Sequence, residues 1–329
     1  MNLVQQRTKA VKEFIRSRGN VDLVGIADPA LYVQHDRFHT PEEVLPGAKS
    51  IIVFGRRFAD GAVQGAMRRF EDDNELALGS YAAYAATMTP GFLMLFDTFY
   101  IMQHLERAFG YIAEPISLAP MQGGKPNNEP LPLFCGPYKQ GQPIDIDQCA
   151  VIAGLGQYGW SGRILTPEYG PRVMFGALVT QMELEFDKPY EGPALCKGES
   201  CQACAKLCPN AGILTMDQVD EPLMRGCKDH MVPTSPFSLN RCLVANCAMR
   251  AEFDPLGKAV DYVSSNDPTD EELAAAFADR DPVNSYLDHY PKLYCEKCLL
   301  YCQSGDWDER FRARGLSMGP EALLAKEAK

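Results

Sequence analysis

The stretch CKGESCQACAKLCPNAGI, Cys196 to Ile213, sets four cysteines and a proline within fourteen positions of a 329-residue chain. A disulfide knot, a zinc site and an iron–sulfur site are the readings it offers. The rest of the sequence decides among them. Twelve cysteines are present and ten fall after residue 195, a composition shift that divides the chain into residues 1–190 and 191–329. The N-terminus carries Val4, Val11, Phe14 and Ile15 at helical spacing with Gly19 as a stop, which is an amphipathic helix and not an apolar signal core. Leu76 to Phe96 is uncharged, but Pro90-Gly91 interrupts it, so it reads as buried helices and not as a membrane span. A cytoplasmic location follows, and that compartment keeps thiols reduced, which disfavours disulfides.

Spacing separates the two metal readings. Cys201-x2-Cys204-x3-Cys208-Pro209 follows Cys196, and CEKCLLYC supplies Cys295-x2-Cys298-x3-Cys302. A zinc site wants paired CxxC motifs closing one tetrahedron, and leaves the three-residue gaps and the Cys-Pro unexplained. Two cubane clusters explain both, because the cysteine before proline in a two-cluster ferredoxin serves the other cluster. The pairing is then Cys196, Cys201 and Cys204 with distant Cys302, and Cys295 and Cys298 with distant Cys208. The second set lacks a ligand, for which Cys227, Cys242 and Cys247 are the candidates; Cys135 and Cys149 read as buried thiols.

Elsewhere VDLVGIA (Val21–Ala27) and SIIVFG (Ser50–Gly55) read as buried strands. Residues 75–110 read as helical, and the Gly- and Pro-rich 121–143 as an irregular functional segment. Ala150–Thr180 reads as helix, glycine-punctuated turn and strand, and Asp267–Ala278 as a helix with Thr269 and Glu272 at capping-box spacing. Strands mixed with helices without strict alternation give an α+β class. The net charge of −11 disfavours a nucleic-acid partner.

At AGLGQYGWSGRILTPEYGPRVMFGALVT (Ala153–Thr180) the chain resembles the corrinoid-dependent reductases, a superfamily that includes reductive dehalogenases and epoxyqueuosine reductases. HTPEEVLPGAKSIIVFG (His39–Gly55) resembles their N-terminal region, and NRCLVANC (Asn240–Cys247) resembles their isolated cysteine segment, which selects Cys242 as the missing ligand. The resemblance implies a nitroreductase-like cobalamin-binding core followed by a ferredoxin-like module with two 4Fe-4S clusters. It differs from the pattern at Cys196, which four residues separate from Cys201 where two are usual.

The cofactor-binding residues it implies are Gly154, Leu155, Gly156, Tyr158, Gly159, Gly162, Leu165, Thr166, Pro167 and Arg172, the glycines letting backbone approach a corrin ring; a plain tight turn is the alternative for them, and a surface charge for Arg172. The five histidines (35, 39, 104, 230 and 289) avoid the Asp-x-His-x-x-Gly arrangement, so cobalamin is expected base-off without a histidine ligand. The clusters would reduce cobalt to Co(I), and a proton donor must follow. Where epoxyqueuosine reductases place a catalytic Asp, this chain reads CGPYKQ. Tyr138 is therefore the expected acid, as in reductive dehalogenases, with Lys139 as an electrostatic helper; Asp145 and Asp147 begin the next helix or replace them as acid.

The expected activity is reductive cleavage of a small organic molecule, organohalides among the candidates, with a reduced ferredoxin or flavodoxin as donor. Epoxyqueuosine reduction in tRNA is the alternative, weakened by the missing Asp and by only 27 residues after Cys302. A corrinoid-free electron-transfer protein is the third reading.

Overall fold

The computed structural model describes residues 1–34, 38–72, 93–116, 144–253, 260–279 and 295–328. Tyr138, Lys139, Cys135, His35 and His289, and most of the uncharged run 76–96 and all of 121–143, lie outside them.

A four-stranded antiparallel sheet organises the first half. Strands β1 (Leu23–Ala27), β2 (Ser50–Arg57), β3 (Ala113–Pro115) and β6 (Val173–Thr180) stand in the order β1-β2-β6-β3. β2 and β6 pair over their full eight residues, from Ser50 opposite Thr180 to Arg57 opposite Val173. Every residue of β6 is buried, because both sheet faces are covered. Ile52, Phe54, Met174 and Leu178 face one core; Ile51, Val53, Phe175 and Ala177 face the other.

The helix Leu3–Ser17 closes the first core with Val11 and Ile15, and a capping box on Asn2 fixes its start. Asp97, buried on the helix over 93–104, pairs with Arg56 of β2 and lies 3.7 Å from Arg18. The same core takes in Leu299, Leu300, Tyr301, Trp307, Phe311 and Leu323 from the cysteine-rich half. Residues beyond Cys298 thus share their burial with the first helix and the sheet.

The second core seats the helix Ile146–Ile152 against β1. Gly25 makes that approach possible, since a Cβ there would lie 2.5 Å from the Ala153 carbonyl oxygen. After the helix come the short strands β4 (Gln157–Tyr158) and β5 (Ile164–Leu165), which pair around the glycine-rich turn. A hairpin, β7 (Leu223–Cys227) with β8 (His230–Thr234), separates the first cysteine group from the helix Leu239–Asn246. The helix Asp270–Asp279 begins with the expected capping box: the Thr269 amide donates to Glu272 at 3.0 Å and the Glu272 amide donates to the Thr269 hydroxyl at 3.2 Å. Among the described residues no helix is long and apolar enough to cross a membrane.

Candidate functional site

Loops, two one-turn helices and the helix Leu239–Asn246 carry the eight cysteines, and the fold brings them into neighbouring positions. Cys204 is pushed well up by burial and then by its neighbours Cys302, Cys298, Cys196 and Cys201. Cys302 is pushed up to about 11 by burial, opposed by Arg172 and by a hydrogen bond from the Ser304 amide, with Cys196 and Cys201 again adding charge. In the other neighbourhood burial raises Cys242, reinforced by Cys298, Cys295 and Cys208. Cys295 reaches about 12, by burial first and Cys298 second. Cys196, Cys201 and Cys302 thus act on Cys204, and Cys298 acts on Cys208, Cys242 and Cys295 and on Cys204 as well.

The sulfurs are met by backbone amides as well as by each other. Cys208 is raised by burial against the opposing hydrogen bonds of the Ile213, Gly212 and Asn210 amides. Cys295 receives the Lys297 amide, and Trp160 donates its own amide to the Cys196 sulfur at 3.5 Å. Amides aimed at sulfur favour thiolates and tune a cluster held by them. Trp160, Ala205 and Ile213 form an apolar shell against Cys196, Cys204, Cys208 and Cys298. Among the described residues no group of three or more His, Cys, Asp or Glu side chains is disposed to hold one metal ion. Backbone amides reach Cys196, Cys208, Cys295 and Cys302, four of the eight thiols and two in each set. The remaining cysteines sit elsewhere: Cys149 and Cys227 are fully buried in the second core, and Cys247 packs on a third cluster around Leu243 and Val244.

The TPEYGPR segment brackets the second cysteine group. Thr166 and Gly170 exchange backbone hydrogen bonds of 3.0 Å, closing the turn. Gly170 packs so closely that a Cβ would lie 2.5 Å from the Ser304 carbonyl oxygen, and the Asp306 amide donates to the Glu168 carbonyl at 3.0 Å. Arg172, read as a corrin contact or a surface charge, is neither exposed nor free. It is 3 % exposed and donates to the carbonyls of Leu299 (3.3 Å), Cys302 (2.8 Å) and Ser304 (2.7 Å).

Chain packing also accounts for the glycines. A Cβ at Gly154 would strike the Lys188 carbonyl, and one at Gly156 the Leu165 carbonyl. At Gly159 it would come within 2.7 Å of the Leu165 side chain. Gly162 has φ +74°, and its nearest neighbour is Arg225 at 3.7 Å. The tight-turn alternative therefore explains all four, and their lack of side chains is not itself an argument for a corrin. Leu155 packs on the second core, to which Tyr158 belongs; Leu165 is buried, and Pro167 is half-buried in the bracket.

Under this turn lie groups whose roles the sequence left open. Asp145 N-caps the helix Ile146–Ile152, accepting from the Gln148 amide at 3.1 Å. Asp147, one turn in, would ordinarily be held low by the helix N-terminus. Burial and then the neighbouring Asp145 instead push its carboxyl up to about 7, against the lowering effect of Arg225 and Arg163. Arg225 sits 5.9 Å over the Tyr158 ring. Sequence reasoning passed over Arg163 and Arg225 altogether. Arginines beside a glycine turn and on a hairpin carry no spacing that marks a site. Of the histidines, His104 stacks on Phe14 at 3.7 Å and its pKa is lowered by burial; His39 is exposed.

No protein-family model matches the chain. Its homologues place it among the relatives of the corrinoid-dependent reductase superfamily. In particular, 64 residues are 42% identical to the tetrachloroethene reductive dehalogenase of Sulfurospirillum multivorans, covering 20% of this chain and 13% of that protein. A longer stretch of 191 residues is 26% identical to the epoxyqueuosine reductase of Synechocystis sp., covering 56% of this chain and 59% of the other. A solved catabolic reductive dehalogenase shares the fold at a TM-score of 0.50 and 17% identity, over 92% of this chain and 38% of its own. The chain thus spans less than two thirds of each. The acidic total charge does not by itself decide whether nucleic acid is a partner.

Proposed function

We propose that the chain is an iron–sulfur and cobalamin-dependent reductase, with one 4Fe-4S cluster on Cys196, Cys201, Cys204 and Cys302 and a second on Cys208, Cys242, Cys295 and Cys298. The gathering of these eight cysteines into two crossed sets of four carries the reading. When bound, base-off cobalamin would supply a strongly reducing cobalt centre able to cleave a carbon–heteroatom bond. The chain's own part is to hold the sulfurs as thiolates with amide hydrogen bonds, to exclude water from them with Trp160 and Ile213, and to deliver a proton. Tyr138, helped by Lys139, is the proposed donor. Asp147 is the described carboxyl best suited to replace it, since at about 7 it holds a proton near neutral pH and can release it.

The proposed substrate is a small organic molecule, organohalides first, with a reduced ferredoxin or flavodoxin as electron source. The tyrosine in place of an aspartate and the local identity to a dehalogenase support that choice. Epoxyqueuosine in tRNA is the second reading, favoured by the longer aligned stretch. Holoenzyme reduced with titanium(III) citrate should release halide from halogenated phenols or alkenes, and Tyr138→Phe should lower that rate about 10²–10⁴-fold. Queuosine formation in tRNA without halide release would replace the first reading by the second.

A further inference from the structure

The helix Leu239–Asn246 carries Cys242, the proposed ligand that no spacing marks, and two asparagines tie it to the segments of its partners. Asn246 stands one turn after Cys242 and so shares its face of the helix. Its Oδ1 accepts the backbone amide of Cys295 at 3.1 Å, across 49 positions of chain. Asn210 lies two residues after Cys208 and is 8 % exposed. Its Nδ2 donates to the Arg241 carbonyl at 2.9 Å and to the Asn266 carbonyl at 2.7 Å. The main chains close on each other at the same junction. The Ser238 amide donates to the Gly212 carbonyl at 3.0 Å, and a Cβ at Gly212 would lie 3.4 Å from that of Cys242. The partners fix both carboxamide orientations, since an N–H must meet the oxygen and a carbonyl must meet the nitrogen. Asn240, on the same helix, binds only the Pro268 carbonyl at 3.1 Å and Asp270 at 2.8 Å.

We infer that Asn210 and Asn246 are positioning residues of the 208/242/295/298 set. Asn246, as an acceptor, keys Cys295 to Cys242; Asn210, as a donor, keys Cys242 to Cys208. The inference rests on the reading of that set as ligands of one cluster. A cubane needs its thiolates at fixed separations, and here they come from three segments far apart in sequence, so the joints between segments set the ligand geometry. An aspartate separates the two roles. At 246 it keeps the accepting oxygen; at 210 it removes the donor and sets a carboxylate against two carbonyls.

The test is iron content and electron paramagnetic resonance of dithionite-reduced holoprotein, for wild type, Cys242→Ala, Asn246→Leu, Asn246→Asp, Asn210→Asp and Asn240→Leu. The signal lost in Cys242→Ala marks the second cluster. Asn246→Leu and Asn210→Asp should lose that signal and about four of about eight irons while the other signal stays. Asn246→Asp should keep both signals, and so should Asn240→Leu. A second signal unchanged in Asn246→Leu or in Asn210→Asp would overturn the inference for that residue. Equal damage from Asn246→Asp and Asn246→Leu, loss of the second signal in Asn240→Leu, or loss of both signals in any asparagine variant, folded or not, would overturn it outright. The ties would then serve the helix or the fold at large and not the set. Wild-type protein lacking two clusters, or Cys242→Ala keeping both signals, would fail the ligand reading itself, an outcome distinct from these.

Discussion

Replacing Arg172 with methionine keeps most of the side chain's volume and removes its charge and all three donors. The hydrogen bonds to Leu299, Cys302 and Ser304 are charge-assisted, each contributing roughly 1.5–3 kcal/mol. Against them stands burial, which pulls the guanidinium down to about 10 and costs roughly 3 kcal/mol in keeping it charged. The difference is a net destabilisation of about 1.5–6 kcal/mol, in line with the loss of one partner from a buried ionic network. The damage should concentrate where the carbonyls lie, around Cys302. Trp307, five residues on, reports on that region: its indole is fully buried and donates to the Leu300 carbonyl at 2.7 Å. Urea unfolding of the holoprotein followed by tryptophan fluorescence, with iron measured in parallel, should show a lowered midpoint, a red-shifted native spectrum and loss of iron. Arg172→Lys should recover little, because an ammonium cannot reach three divergent carbonyls. A loss below about 1 kcal/mol with Trp307 still buried would refute the bracket as the link between core and cysteines.

Asp147 makes stability depend on pH. Its folded pKa of about 7 lies above the ordinary carboxyl value, so between about pH 4 and 7 the native state keeps a proton that the unfolded chain has released. Stability should fall as pH rises through that window, by at most roughly 4 kcal/mol, and level off above it. Asp147→Asn should abolish the slope and be the more stable protein at pH 8, as read from urea midpoints across pH; an unchanged slope would contradict the assignment. Gly156→Ala drives a methyl into the Leu165 carbonyl and should cost about 1–3 kcal/mol or prevent folding, with or without cobalamin. If that variant instead folds normally and loses only cobalamin affinity, the glycine faces a ligand and not the chain.

Local patterns carried much of the fold in the sequence. VDLVGIA and SIIVFG became β1 and β2, and the first helix and the Thr269 capping box stand where spacing placed them. The cysteine spacings suggest seven of the eight proposed ligands, each set combining a short-range motif with a partner before the proline or at the end of the other motif, whereas Cys242 has no spacing to mark it and is selected by resemblance alone. The order β1-β2-β6-β3 was not legible, since β6 pairs with β2 across more than a hundred residues and its two buried faces erase alternation. The glycines were ambiguous for a physical reason: glycine answers equally to a ligand and to a neighbouring carbonyl, and only the fold showed Lys188 and Leu165 waiting there. Arg172 was misread because a long side chain's role is set by what lies at its tip, and here that is the carbonyls of Leu299, Cys302 and Ser304.

In the proposed enzyme the two cysteine sets hold clusters that serve a cobalt centre in the core. Metal content after anaerobic expression with added cobalamin tests this most directly. About eight irons and about one cobalt per chain are predicted, the irons falling to about four in Cys242→Ala if that cluster alone is lost. Full iron without cobalt would contradict the corrinoid mechanism and leave an electron-transfer protein, and stoichiometric zinc without iron would contradict the clusters themselves.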